Sequence, residues 1–227
     1  AKALALSRFA VDFAWTIDCC ELGEIVYENF NAAAAEIRFT GVTAHPMSSK
    51  GVLVNPLLMA TDYMSHFDRQ QTPEYTAGRE GYVWFNGIQG DQNRTLLKSS
   101  IRYFDLASFN RRKQQIGEVA QKIAAQYPTG KVEFHVSDTY SNISNAIGED
   151  RRAIDLMFEA MESLGITPKP TPMRGGTDGA ALSAKGVLTP NFFTGAHNFH
   201  SKFEFLPLRA FEASYQTAFQ LCLLAAR

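Results

Sequence analysis

Two glycine-broken polar clusters in the last third of the chain hold the residue types that do chemistry. Arg174-Gly175-Gly176-Thr177-Asp178-Gly179 sets a guanidinium, a hydroxyl and a carboxylate on a backbone that glycine frees to take positive φ. Further on, Gly195-Ala196-His197-Asn198-Phe199-His200-Ser201-Lys202-Phe203-Glu204 follows the apolar run at 187–193. A polar loop with two histidines and a glutamate at the end of a buried strand is where an α/β protein keeps metal ligands or acid–base groups. The competing reading is an ordinary helix-capping loop with surface histidines. Near the other end of the chain, the apolar strand at 13–17 runs into Asp18. A carboxylate at the carboxyl end of a buried strand is placed for a ligand role, or else it starts a turn. His45 sits in a loop before Pro46, and Arg102 lies among Ile101, Tyr103 and Phe104, on a functional surface or as an edge-strand arginine. His66-Phe67-Asp68 copies an H-x-D metal pair, but it falls at a helix end rather than on a buried strand and reads as surface.

The elements that must position these groups follow from pattern. Residues 1–10 read as the end of a helix. Residues 24–30 and 32–40 read as strands. Asn55 and Pro56 supply an N-cap and a first helical residue for a helix to about residue 68, whose buried face is Leu57, Leu58, Ala60, Met64 and Phe67. Two strands at 82–89 and 94–104 flank Gly90-Asp91-Gln92-Asn93, a hairpin signal. Ser108 caps a helix to about residue 126, whose Arg111, Arg112 and Lys113 read as a solvated face. A strand at 131–137 completes the order strand-helix-strand-strand-helix-strand, a ferredoxin-like unit. Beyond it come a helix at 150–164 stopped by Gly165, a short helix near 180–185, a strand at 189–193 and a last helix from 208 to about 226. Phe211, Tyr215, Phe219 and Leu223 recur every fourth position in that last helix and are expected to pack its one buried face.

The totals exclude several classes. The 227 residues are 45% hydrophobic and 12% aromatic, ample for a packed core. A net charge of −1 lacks the basic excess of a general nucleic-acid binder. No apolar run is long enough to span a bilayer, so no membrane partner is expected. Three cysteines, Cys19, Cys20 and Cys222, make no disulfide framework, and a reducing cytoplasm is the default setting. The chain opens on Ala1 without an initiator Met, which reads as a processed, cloned or clipped start.

Five blocks together carry a resemblance. They are Tyr27-Glu28-Asn29-Phe30-Asn31-Ala32-Ala33; His45-Pro46 with Lys50-Gly51-Val52; Ile101-Arg102-Tyr103-Phe104-Asp105; Arg174 through Gly179; and Asn191-Phe192-Phe193-Thr194-Gly195 through His200. In this order the chain resembles the peptidase T group, the tripeptide aminopeptidases of the di-zinc exopeptidase family that includes carboxypeptidase G and aminoacylase. The resemblance implies an α/β catalytic domain, here residues 1–30 and 141–227, with an inserted ferredoxin-like α+β lid or dimerisation domain at 31–140. It implies two zinc ions in the complete enzyme, Asp18 on one and His200 on the other. It implies that His45 approaches the scissile carbonyl and that Arg102 and Arg174 lie near the substrate's carboxylate. A short peptide substrate and a homodimer through the lid follow from the same resemblance.

The chain also departs from the family. It has no Glu-Glu pair and only the helical His66-Phe67-Asp68, so the general base and most zinc ligands are expected in a missing N-terminal half, and this chain is expected to be the C-terminal part of the enzyme, with weak or no zinc binding alone. Cys19 and Cys20 follow Asp18 where the family has glycines; Cys19 is an extra thiolate ligand or, more simply, a small buried side chain. Phe203 stands where the family has a second histidine. The alternatives to a zinc aminopeptidase are a non-catalytic lid or oligomerisation module, and a phosphate binder built on Arg174–Gly179, which lacks the Walker spacing and lysine.

Overall fold

The computed structural model describes residues 3–8, 10–18 and 20–227. The chain divides into two compact units, one of Ala1–Phe30 with Tyr140–Arg227 and one of Asn31–Thr139.

The inserted unit is a four-stranded sheet with two helices. Its strands are β3 (Asn31–Thr40), β4 (Tyr82–Gly90), β5 (Arg94–Tyr103) and β6 (Lys131–Tyr140), and its helices are α1 (Pro56–Ser65) and α2 (Leu106–Gln126). The strand order β4-β5-β3-β6 is the ferredoxin-like arrangement that the element order predicts. β5 pairs antiparallel with both β3 and β4, so Arg102 is on an interior strand and not an edge. Asp91 closes the hairpin: its carboxylate accepts the amides of Asn93 (2.7 Å) and Arg94 (3.1 Å). Alternation sends Ala33, Ala35, Ile37 and Phe39 of β3 and Leu97 and Ile101 of β5 to one face, where α1 and α2 cover them.

Three local expectations change here. α1 buries Met59, Ala60 and Tyr63, while Leu57 and Leu58 point outward, because the stripe that meets the sheet starts at Pro56 rather than Leu57. The cap of α2 is Asp105, whose carboxylate accepts the Ser108 amide at 2.7 Å; an anionic cap also complements the helix N-terminus. Arg112 is not simply solvated. It is part-buried and donates to the Tyr103 hydroxyl (2.9 Å), Gln115 (2.7 Å) and Gln71, while Lys113 pairs with Asp138 at 2.9 Å.

The flanking unit holds a second four-stranded sheet, β1 (Thr16–Ile17), β2 (Glu24–Val26), β7 (Lys169–Pro170) and β8 (Asn191–Phe192), in the order β1-β8-β2-β7. β1 and β8 run parallel, as do β2 and β7, but β2 meets β8 antiparallel, so this sheet is mixed. Helices α3 (Arg152–Ser163) and α5 (Leu208–Ala225) pack together over Ile25, Val26, Phe192 and Phe193. α3 ends as Gly165 predicts. That residue is left-handed at φ 70, and the Ile166 amide returns to Met161 O at 2.9 Å. The helix end expected over residues 1–10 is, among described residues, a single 3-10 turn at Leu6–Arg8.

The last helix forms where expected, but its stripe faces the other way. Ala210, Ser214, Thr217, Leu221 and Leu224 are its buried positions. Phe211, Tyr215, Phe219 and Leu223 are 56, 60, 53 and 49% exposed. Small residues let α5 lie close to its neighbours: the Ser214 hydroxyl donates to Phe193 O at 2.8 Å, and Gly195 approaches Ala210 so closely that a Cβ would sit 2.4 Å from the alanine methyl.

Candidate active site

β1 and β8 are parallel neighbours, so the loops that leave their carboxyl ends emerge side by side. The first begins at Asp18, which is half-buried and whose amide donates to Phe192 O at 3.4 Å. The second is the histidine loop. Two contacts tie them together: the Gly195 amide donates to Cys20 O at 3.1 Å, and His197 Nδ1 lies 3.4 Å from Glu21 Oε1. His197 also stacks on Phe205 at 5.2 Å, and the two residues exchange backbone hydrogen bonds, which closes 197–205 into a tight hairpin. His200 sits at its tip, exposed, its amide held by the Glu204 carboxylate at 2.9 Å. A cleft of about 250 Å³ lies between the loops, bounded by Cys20, Glu21, His197 and Phe199.

Backbone strain marks the same place. Among the described residues, the non-glycine residues with left-handed φ are Cys20 (70°), Asn198 (56°) and His200 (62°). All three belong to these two loops. Such conformations cost about 1–3 kcal/mol each and persist where the surroundings impose them, which is typical of functional sites. Cys19, the residue expected to perturb Asp18, lies outside the described residues.

The Arg174 cluster is ordered by different physics from that expected. None of Gly175, Gly176 and Gly179 has a positive φ. Gly176 and Gly179 are required by close approach: a Cβ on Gly176 would sit 2.6 Å from the Tyr140 ring, and one on Gly179 2.3 Å from Thr189 O. Thr177 caps the six-residue helix α4 (Asp178–Ser183), accepting the Ala180 amide at 3.0 Å. Met173 bridges to Asn29, and Asn29 Nδ2 donates to Gly175 O at 3.3 Å. The Arg174 guanidinium rests over the Phe30 ring at 5.1 Å.

The remaining two residues are in the inserted unit. His45 is exposed and caps the short 3-10 turn Pro46–Ser48, its Nδ1 accepting the Met47 amide at 3.2 Å. Arg102 faces away from the α1–α2 side of the sheet, opposite Ala32 and Tyr82. His66 and Asp68 are exposed beyond α1, as expected of surface residues. The residue that reasoning from sequence missed is Glu21, which pairs with His197. Glu204 was visible as part of the loop, but its role depends on the hairpin closing.

Asp18 and His200 carry donor types that zinc accepts. Among the described residues, however, no group of three or more His, Cys, Asp or Glu side chains stands together in a way that could hold a metal ion.

The described chain is thus a ferredoxin-like unit inserted between two α/β segments, with strained polar loops at parallel strand ends. Residues 27–131 match the family model of the peptidase dimerisation domain. The chain is 63% identical over its whole length to a peptidase T-like protein of Yersinia pestis, and 41% identical over 93% of its length to peptidase T of Caldanaerobacter subterraneus. Nearly its whole length is thus similar to peptidase T relatives, and the dimerisation-domain match lies within that stretch. The chain spans about half the length of these relatives, 55% and 52%. The fold agrees. It superposes on the aminopeptidase PepT of Bacillus cereus with TM-score 0.82 at 17% identity, covering 97% of this chain and 59% of that one. It superposes on a dinuclear metal binding peptidase of the M20 family from Bacillus subtilis with TM-score 0.66 at 17% identity, covering 93% and 55%. Among the described residues no helix is long and apolar enough to cross a membrane.

Proposed function

We propose that the chain is part of a zinc-dependent aminopeptidase that releases the N-terminal residue of short peptides, tripeptides above all. The observation that carries this reading is the pair of tied loops at the ends of β1 and β8, where the left-handed non-glycine residues of the described chain gather. Asp18 and His200 would each give one donor to a different zinc of a pair, and the metal would supply an activated water for attack on the peptide carbonyl. The other ligands and the general base then belong to the portion of the longer enzyme that the relatives carry beyond the match, upstream of this chain. The cysteine usage supports a cytoplasmic setting.

Roles for the other residues follow from their surroundings. With Nδ1 accepting the Met47 amide, the neutral His45 ring carries its proton on Nε2. An exposed N–H of this kind suits the oxyanion of a tetrahedral intermediate. Guanidinium forks grip a carboxylate bidentately, which fits Arg102 and Arg174 to a peptide C-terminus, and Phe30 steadies the Arg174 plane. Arg102 pairs with Ala32 at the start of β3, whereas the His45 loop leaves after Thr40, which pairs with Arg94. Those strand ends are roughly 25 Å apart. An extended tripeptide spans only about 10 Å. One lid therefore serves two sites, His45 reaching one and Arg102 the other, which a homodimer through the lid provides. The match to a dimerisation domain supports that assembly.

The test is made in the enzyme restored to the full length of its relatives. His45→Ala should lower kcat by roughly 10²–10³, as loss of one oxyanion donor does, with KM and zinc content little changed. Arg174→Ala should chiefly raise KM, because the carboxylate is held alike in ground and transition states. Loss of zinc from the His45 variant would make His45 a ligand, and an unchanged kcat would make it a surface residue; either result overturns the assignment. The chain alone should not release residues from tripeptides in the presence of zinc, and turnover by a preparation free of other polypeptides would refute the division of the site.

A further inference from the structure

The outward face of α5 is out of character for a solvent face. Leu208 is 83% exposed, and three residues further on Phe211 opens a fourfold series with Tyr215, Phe219 and Leu223, each about half exposed, with Glu212 the one charge between Phe211 and Leu223. No charged residue occurs between Glu212 and Arg227. A surface helix carries charge on its outer side, and a helix apolar on all sides is a buried one. The five side chains expose on the order of 500 Å² of mostly apolar surface, at the upper end of what a lone soluble chain shows. We infer that this face of α5 is the docking surface for the portion of the peptidase T relatives that this chain does not span.

Two observations choose this occupant over a second copy. Nearly half the length of the Yersinia relative lies outside the match, a domain-sized partner whose chemistry must complete an α/β core. The dimerisation match covers residues 27–131, all but the first four in the other unit and none on α5, so self-association has its surface there. The inference rests on reading the chain as part of a longer enzyme, but it makes no use of zinc, His45 or the peptide.

The unmatched portion of the Yersinia relative, produced as a separate polypeptide, should co-purify with this chain in equal amounts. Phe219→Glu, a change at an exposed position, should weaken binding about tenfold or more, the effect of losing an interface anchor. Glu118→Lys, exposed on α2, should leave it unchanged. Binding that ignores Phe219→Glu would overturn the inference, as would self-association of the chain that Phe219→Glu abolishes. If the separate polypeptide does not fold, a fusion placing it before residue 1 decides. Cys222 is exposed on α5, so its labelling by a thiol reagent should be about tenfold or more slower in the fusion than in the chain alone. An equal rate would refute the docking. A fusion that protects Cys222 yet does not hydrolyse tripeptides would keep this inference and sink the catalytic one.

Discussion

The two long helices, α2 and α5, treat their outward faces in opposite ways. α2 buries Phe109, Ile116, Val119, Ala120 and Ile123 against its own sheet and shows water Arg111, Gln114, Glu118 and Lys122. α5 buries small or modest residues and shows water its aromatics. The difference separates the two units. In the inserted unit the aromatics Tyr63, Phe39, Phe67 and Phe85 meet in edge or tilted contact in the core, although Trp84, Ile88 and Phe134 stay about half exposed. In the flanking unit, the aromatic side chains of its longest helix are left outside the core. An amphipathic helix has a second apolar face only when two surfaces claim it.

The largest effect that could break this comparison is a failure of independence. Residues Asn31–Thr139, produced alone, should unfold in one cooperative transition, as single domains of about 110 residues do. In the whole chain, denaturant should unfold the flanking unit first and the inserted unit second. A fragment without a cooperative transition, or one concerted transition for the whole chain, would mean that the inserted unit is not self-sufficient.

Side-chain deletions sharpen the contrast. Tyr63 is fully buried, and its hydroxyl donates to Ile116 O at 3.0 Å; burial pushes its phenol well above the usual value, so it stays neutral. Tyr63→Ala should destabilise the inserted unit by about 3–5 kcal/mol in urea unfolding. Phe219→Ala, at a half-exposed position, should cost the flanking unit less than about 1 kcal/mol. Equal costs would mean that the outer face of α5 is packed in solution.

Much of this was legible in the sequence, unevenly. The ferredoxin-like order could be read because its signals are local: alternation in β3, the Asp91 turn and the capping of α1 by Asn55 all act within a few residues. Asp18 and the histidine loop could each be read as polar residues at a strand end; that the two ends lie side by side follows only from the parallel register of β1 and β8. What could not be read is direction. A fourfold apolar spacing announces a stripe on α5, but which side faces the sheet is decided by Gly195 and Ala210, whose close approach admits nothing larger. The Arg174 glycines misled for the same reason: their freedom at positive φ is a local property, whereas the ring of Tyr140 and the carbonyl of Thr189 are distant in sequence. Glu21 and His197 likewise meet only once the two loops are joined.

The smallest expected effect tests the units through acid. In the inserted unit, the amides of Asn93 and Arg94 hold the Asp91 carboxyl below the usual carboxylate range. In the flanking unit, the Arg152 guanidinium, with help from the Arg152 amide, holds Asp150 down to about 2. A carboxyl depressed on folding adds stability that is fully present above its unfolded value of about 3.9 and is lost as pH falls through the folded value. Both units should therefore lose some Tm between about pH 4 and the folded values, about pH 2 for Asp150. Asp91→Ala should flatten that slope only for the second transition, and Asp150→Ala only for the first. Both groups are at the surface, so each effect is small. Salt divides them by mechanism. At about 1 M, where the Debye length is roughly 3 Å, the part of the Asp150 effect owed to the Arg152 charge should shrink, whereas the Asp91 effect, carried by short backbone hydrogen bonds, should largely remain. If either variant moves both transitions, the units unfold together and the contrast between α2 and α5 has no energetic counterpart.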